Sequence, residues 1–143
     1  MKKLIAKLVL AGAALALSAC SSLPDWMPGS GAIKVTLSGA EEVPLLNVPG
    51  SGSGSFRVAD DGMITGSVTT KDVQGSMAHI HRGTKGTNGP VIIPLDKKGD
   101  TYSVPAGRKL TAAQIDDLKK GNLYVNVHTA RNKGGEVRGQ LQP

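Results

Sequence analysis

Ala78-His79-Ile80-His81 and Leu123-Tyr124-Val125-Asn126-Val127-His128-Thr129 together decide how this chain is read, because they hold all three of its histidines. Both runs predict β-strands, in which side chains alternate between faces. His79 and His81 therefore share a face while Ile80 takes the core side. In the second run Leu123, Val125 and Val127 form the apolar face, which sets Tyr124, Asn126 and His128 opposite. If the two strands are neighbours, three imidazoles converge on one polar face of a sheet.

The strands around them build the scaffold. Glycine supplies 19 of the 143 residues and aromatics only 3%, and short β-branched runs are separated by turn signals. This pattern predicts an all-β domain, an antiparallel sandwich or barrel. Strands are expected at 33–37, 51–58, 63–69, 76–81, 91–95, 101–104 and 136–141, besides the 123–129 run. Asp60-Asp61-Gly62 reads as a hairpin turn. Pro94 marks an edge or a strand end. The 101–104 strand is expected to pair with 91–95 across the turn at Lys97 to Asp100. One short helix, at about 111–120, interrupts the strands: Thr111 and Gln114 form a capping box, Leu110 and Ile115 a hydrophobic staple, and Gly121 a stop. Its narrow Ile115/Leu118 stripe predicts packing over one end of the sheet, a structural role.

The chain start reads as an address. Lys2, Lys3 and Lys7 precede an apolar run from Leu8 to Leu17, too short to span a bilayer and ended by small residues. Leu17-Ser18-Ala19-Cys20 resembles the lipobox of bacterial lipoproteins, in which the cysteine becomes the lipidated first residue. That resemblance implies a signal peptide over 1–19 and a lipid anchor at Cys20, the only cysteine. By the same resemblance, Ser21 rather than Asp after the cysteine favours the outer over the inner membrane. Residues 21–31 form a Pro/Gly/Ser tether, with Trp26 and Met27 inside it. Loss of the signal removes three of 17 basic residues, leaving 14 against 11 acidic, a net charge of +3. Nucleic acid is therefore not an expected partner.

The remainder, 32–143, resembles the CHRD domain, a family named from the animal protein chordin and widespread in bacterial secreted proteins. The resemblance rests on five blocks in order: Leu37-Ser38-Gly39-Ala40-Glu41-Glu42-Val43-Pro44, Ala78 to Gly83, Asn88-Gly89-Pro90-Val91, Gly121 to Thr129, and Gly134 to Leu141. Arg82 stands where small residues are commoner in the family, and Glu41 where Gln is usual. The family implies an immunoglobulin-like β fold and an extracytoplasmic location, and no agreed activity. A looser resemblance is to copper/zinc superoxide dismutase, which also carries a His-x-His strand and a further copper ligand on a later strand. A fourth histidine and a cysteine pair are missing here, so nothing supplies a zinc subsite.

Three neutral imidazoles suit Cu, Zn, Ni or Fe, and copper is favoured over zinc because histidine sites bind Cu(II) tightly. Tyr124, Asn126 and Glu136 are candidates to orient or cover the site. Met77 is placed on the face opposite His79, a weaker candidate for a soft ligand. No serine or threonine sits in a nucleophile motif, and no His–acid spacing suggests a general base. The Arg82–Gly89 loop has glycines and cations that could hold an anion, but its spacing is no P-loop and a plain flexible loop is expected. On the last strand Val137 and Leu141 are expected inward, and Glu136, Arg138 and Gln140 outward, with Glu136 and Arg138 as a surface pair or a loop clamp. Three functions remain: a metal-binding lipoprotein, a non-catalytic module for a protein or glycan partner, and a small redox metalloenzyme. The first is favoured and the enzyme least.

Overall fold

A computed structural model describes residues 31–143. The expected signal peptide, Cys20 and nearly all of the expected tether lie outside the described residues. Nine strands follow one another: β1 (Ile33–Ser38), β2 (Ser51–Val58), β3 (Ile64–Lys71), β4 (Gly75–Arg82), β5 (Val91–Pro94), β6 (Asp96–Lys98), β7 (Thr101–Ser103), β8 (Leu123–Thr129) and β9 (Val137–Leu141), with one helix, α1 (Ala112–Lys119), before β8. They form one antiparallel sheet in the order β5-β4-β8-β9-β1-β2-β3-β7-β6. Only Leu95 separates β5 from β6, the two ends of that order, and its N–H donates to the Ala78 carbonyl of β4 (3.0 Å). The sheet thereby curls into a nearly closed barrel, which leaves few open edges.

Alternation fills the interior. Ile33, Val35 and Leu37 of β1 point inward against Phe56, Val58, Ile64 and Val68, and the opposite wall contributes Ile80, Leu123, Val125, Val127, Val137 and Leu141. Glycine lets the walls twist closely: a Cβ on Gly54 or Gly66 would run into the facing strand's backbone, and Gly66 has φ +133°. The helix carries both halves of the capping box, with Gln114 N–H on Thr111 Oγ1 (3.2 Å) and Thr111 N–H on Gln114 Oε1 (2.9 Å). Leu118 is buried in the core, and Arg82 Nε meets Asp117 Oδ2 at 2.7 Å, fastening the helix to the end of β4.

Two expectations change. The strand expected to run to Leu95 stops at Pro94, and the residues read as a turn form β6, which pairs with β7 while β5 pairs only with β4. Nothing in Asp96-Lys97-Lys98 marks a strand, because all three side chains are exposed and β6 is shaped by its partner. Of the two readings of Arg138, a surface pair or a loop clamp, the clamp is the one formed, with the residue only 1% exposed. The Gly83–Gly89 segment covers it: Arg138 Nη2 donates to Thr84 O (3.1 Å), Nη1 to Asn88 Oδ1 (3.4 Å), and Gln140 Nε2 to Gly83 O (2.8 Å). That loop therefore presents carbonyls to the protein's own cation. Among the described residues no helix is long and apolar enough to cross a membrane.

Candidate metal centre

β4 and β8 are neighbours, with His79 opposite Asn126, His81 opposite Tyr124 and Met77 opposite His128. Residues directly opposite share a face, so all three imidazoles stand together on the outside of the barrel, while Ala78, Ile80, Val125 and Val127 fill the inside. Each histidine offers one nitrogen, and the three nitrogens lie within 4.8 Å of one another.

Two of the rings are held in a defined tautomer. A carbonyl can only accept, so His81 Nδ1–H donates to Gly89 O (2.9 Å) and His128 Nδ1–H donates to Lys133 O (2.9 Å). In the neutral ring the Nε2 of each then carries a lone pair. His128 Nε2 lies 3.0 Å from His79 Nδ1, while His81 Nε2 is buried and without a hydrogen-bond partner. Burial, then the neighbouring His128 and His81, holds His79 below the ordinary histidine range. Burial does the same to His81 and outweighs the Gly89 hydrogen bond, which pulls the other way. Both rings are therefore disposed to be neutral near pH 7, the form that binds metal.

The arrangement fits a metal ion. Imidazole nitrogens at 2.0–2.1 Å from a tetrahedral centre stand about 3.3 Å apart. The His79–His128 separation of 3.0 Å is already close to that, and the ligand nitrogen of His81 lies within 4.8 Å of both. Three histidines are positioned to hold a metal ion, with backbone carbonyls orienting two of them as metal-bound histidines require.

Tyr124 lies where expected. It stacks on His81 with ring centroids 4.8 Å apart and planes 6° off parallel, and its hydroxyl accepts from Gly89 N–H at 3.1 Å. The guanidinium of Arg138 covers the other face of Tyr124, 3.5 Å from the ring centroid, a geometry suited to cation–π attraction. Glu136 touches no imidazole, whereas the Asn126 side chain lies close enough to His81 to oppose, together with Gly89, the effect of its burial. Asn126 Nδ2 donates to Gly134 O (3.2 Å), and Glu136 Oε2 accepts from Thr129 Oγ1 (2.7 Å) and Asn132 Nδ2 (3.0 Å). Both brace the β8–β9 turn that presents Lys133 O to His128. Met77 lies on the histidine face rather than opposite it, because a spacing of two residues preserves the face.

The Gly89 and Lys133 carbonyls escape a sequence reading, since a backbone acceptor has no residue signature. Glu42 was visible in sequence without a place; it is 5% exposed, near Arg138 and Asn126, and burial pushes its carboxyl up to about 7 against the opposing pull of Arg138. The folded protein holds that proton up to about 7 whereas an unfolded chain releases it near 4.5, so stability falls as pH rises through this window. Glu42→Gln mimics the protonated form. It is expected to match the parent at pH 4 and to exceed it at pH 8 by up to about 3 kcal/mol, read by urea unfolding at both pH values.

No curated protein and no solved structure matches this chain. A family model described as the CHRD domain matches residues 33–141, a span that begins at β1, ends at β9 and includes all three histidines. The chain belongs to the CHRD domain family.

Proposed function

We propose that this protein is a lipid-anchored CHRD-domain protein of the bacterial envelope that binds a transition metal, copper in first place, through His79, His81 and His128. The observation that carries the metal reading is the unpartnered, buried Nε2 of His81, left free by the Gly89 clamp beside two further imidazole nitrogens. A buried acceptor without a partner is costly, and a bound ion removes that cost. A donor set of neutral nitrogens without thiolate follows the Irving–Williams preference for Cu(II) over Zn(II). Titration of the purified protein with Cu(II) and Zn(II), alongside His79→Ala/His81→Ala, tests this. One equivalent bound with copper tighter than zinc, and lost in the variant, supports the reading; equal binding by both proteins overturns it.

The clamp itself is testable. A Cβ on Gly89 would collide with the Arg82 carbonyl, so Gly89→Ala displaces the loop and releases His81. Metal affinity is expected to fall by roughly 10–100-fold in that titration.

The anchor rests on the lipobox-like Leu17-Ser18-Ala19-Cys20, with Ser21 pointing to the outer membrane. Two or more acyl chains make a stable attachment. Cys20→Ala is expected to move the protein from the membrane fraction to the soluble fraction on cell fractionation.

A further inference from the structure

We infer that Met77 supplies a fourth, thioether ligand to the three-histidine centre and biases it toward Cu(I). The inference rests on the metal reading above and extends it to the oxidation state of the cargo. Met77 stands directly opposite His128 in the β4–β8 ladder and two residues before His79, so it shares the outer face with all three imidazoles. Opposed side chains in such a ladder have Cβ atoms about 4.5–5.5 Å apart, within the reach of an unbranched thioether. Half of Met77 is exposed, although it stands opposite the buried His128. The ladder shifts register between Gly75 and Met77, an irregularity of the kind that re-aims a side chain. Ser76 Oγ on the His128 carbonyl (3.1 Å) fixes the strand on the near side of that shift.

Sulfur is scarce around it. In the described residues only Met63 and Met77 carry sulfur, and Met63 bridges to Lys109 near the β2–β3 turn. A thioether is a soft donor that favours Cu(I), while the imidazoles serve both oxidation states. Met77 therefore separates the two affinities, lowering the dissociation constant for Cu(I) more than that for Cu(II).

The test compares the full-length protein with Met77→Leu and His79→Ala, measuring Cu(I) affinity by competition with a colorimetric Cu(I) chelator under anaerobic conditions. Cu(II) affinity is measured in parallel against a Cu(II) chelator. Leucine preserves size at this exposed position. The expected result is a tenfold or greater loss of Cu(I) affinity in Met77→Leu with less than a threefold change for Cu(II). The midpoint potential of bound copper then falls by about 59 mV for each tenfold difference. Unchanged Cu(I) affinity in Met77→Leu, with both affinities lost in His79→Ala, overturns the role of Met77 and leaves the histidine centre standing. Absence of binding in either oxidation state by the parent protein overturns the histidine reading and this one with it.

Discussion

Replacing Arg138 with alanine is expected to cost about 3–5 kcal/mol of folding stability, the largest effect of any single substitution outside the apolar core. The guanidinium is 1% exposed, lies on the Tyr124 ring and donates to Thr84 O, Asn88 Oδ1 and Gln140 Oε1. Alanine leaves Gln140 Oε1 without its donor, opens a void under the Gly83–Gly89 loop and removes the positive charge facing Glu42, while the Thr84 carbonyl keeps the Thr87 N–H and hydroxyl. Removing one partner of a buried charged group costs more than its hydrogen bonds contributed. Lysine is not expected to rescue the protein, because its point charge lacks the planar fork that stacks on Tyr124 while reaching three acceptors. Guanidinium-chloride unfolding of Arg138→Ala and Arg138→Lys measures both. A loss below about 1 kcal/mol would mean that the loop stays closed without the cation.

The second large effect is stabilisation by metal. A ligand that binds only the folded state at 100 times its dissociation constant adds about 2.7 kcal/mol to unfolding. Saturating copper is therefore expected to raise the unfolding free energy by about 3 kcal/mol in the parent. His79→Ala should keep the metal-free stability nearly unchanged, since His79 is only half buried and holds no backbone carbonyl, yet lose the increment. Its affinity should fall by more than about 100-fold, beyond the loss that a displaced orienting group produces. Thermal unfolding with and without one equivalent of copper reads both quantities. An equal copper increment in His79→Ala would show that the ion stabilises the fold from another place.

Charge and geometry connect these two expectations. Arg138 covers one face of Tyr124, and His81 lies parallel on the other. The Gly89 backbone receives His81 Nδ1–H through its carbonyl and donates its own N–H to the Tyr124 hydroxyl. The loop that covers Arg138 therefore also carries the Gly89 carbonyl that orients His81. Loss of Arg138 is expected to weaken metal binding as well as folding.

Much of this was legible in the sequence because it depends on local rules. Period-two alternation in Ala78–His81 and Leu123–Thr129 puts three histidines on one face once the strands are adjacent, as they are. The capping box at Thr111 and Gln114 starts the helix within a residue of the expected position. What was not legible depends on what covers a face. Alternation says that Arg138 points away from the core, but cannot say that residues 83–89 fold over it. It likewise gives no strand for Asp96–Lys98, whose pairing comes from β7. Met77 is a different matter: its spacing from His79 determines its face, and the ladder corrects the placement opposite the histidines. Glu136 carries a hydroxyl and an amide of the β8–β9 turn rather than an imidazole, a partnership that strand register alone does not disclose.

The central claim is that His79, His81 and His128 bind one metal ion together. X-ray absorption at the copper edge of the singly loaded protein addresses it directly, because imidazole rings give outer-shell scattering that can be counted. The account predicts three imidazoles around one copper, falling to two or fewer in His128→Ala. A copper surrounded by one imidazole and oxygen donors in the parent protein would contradict it.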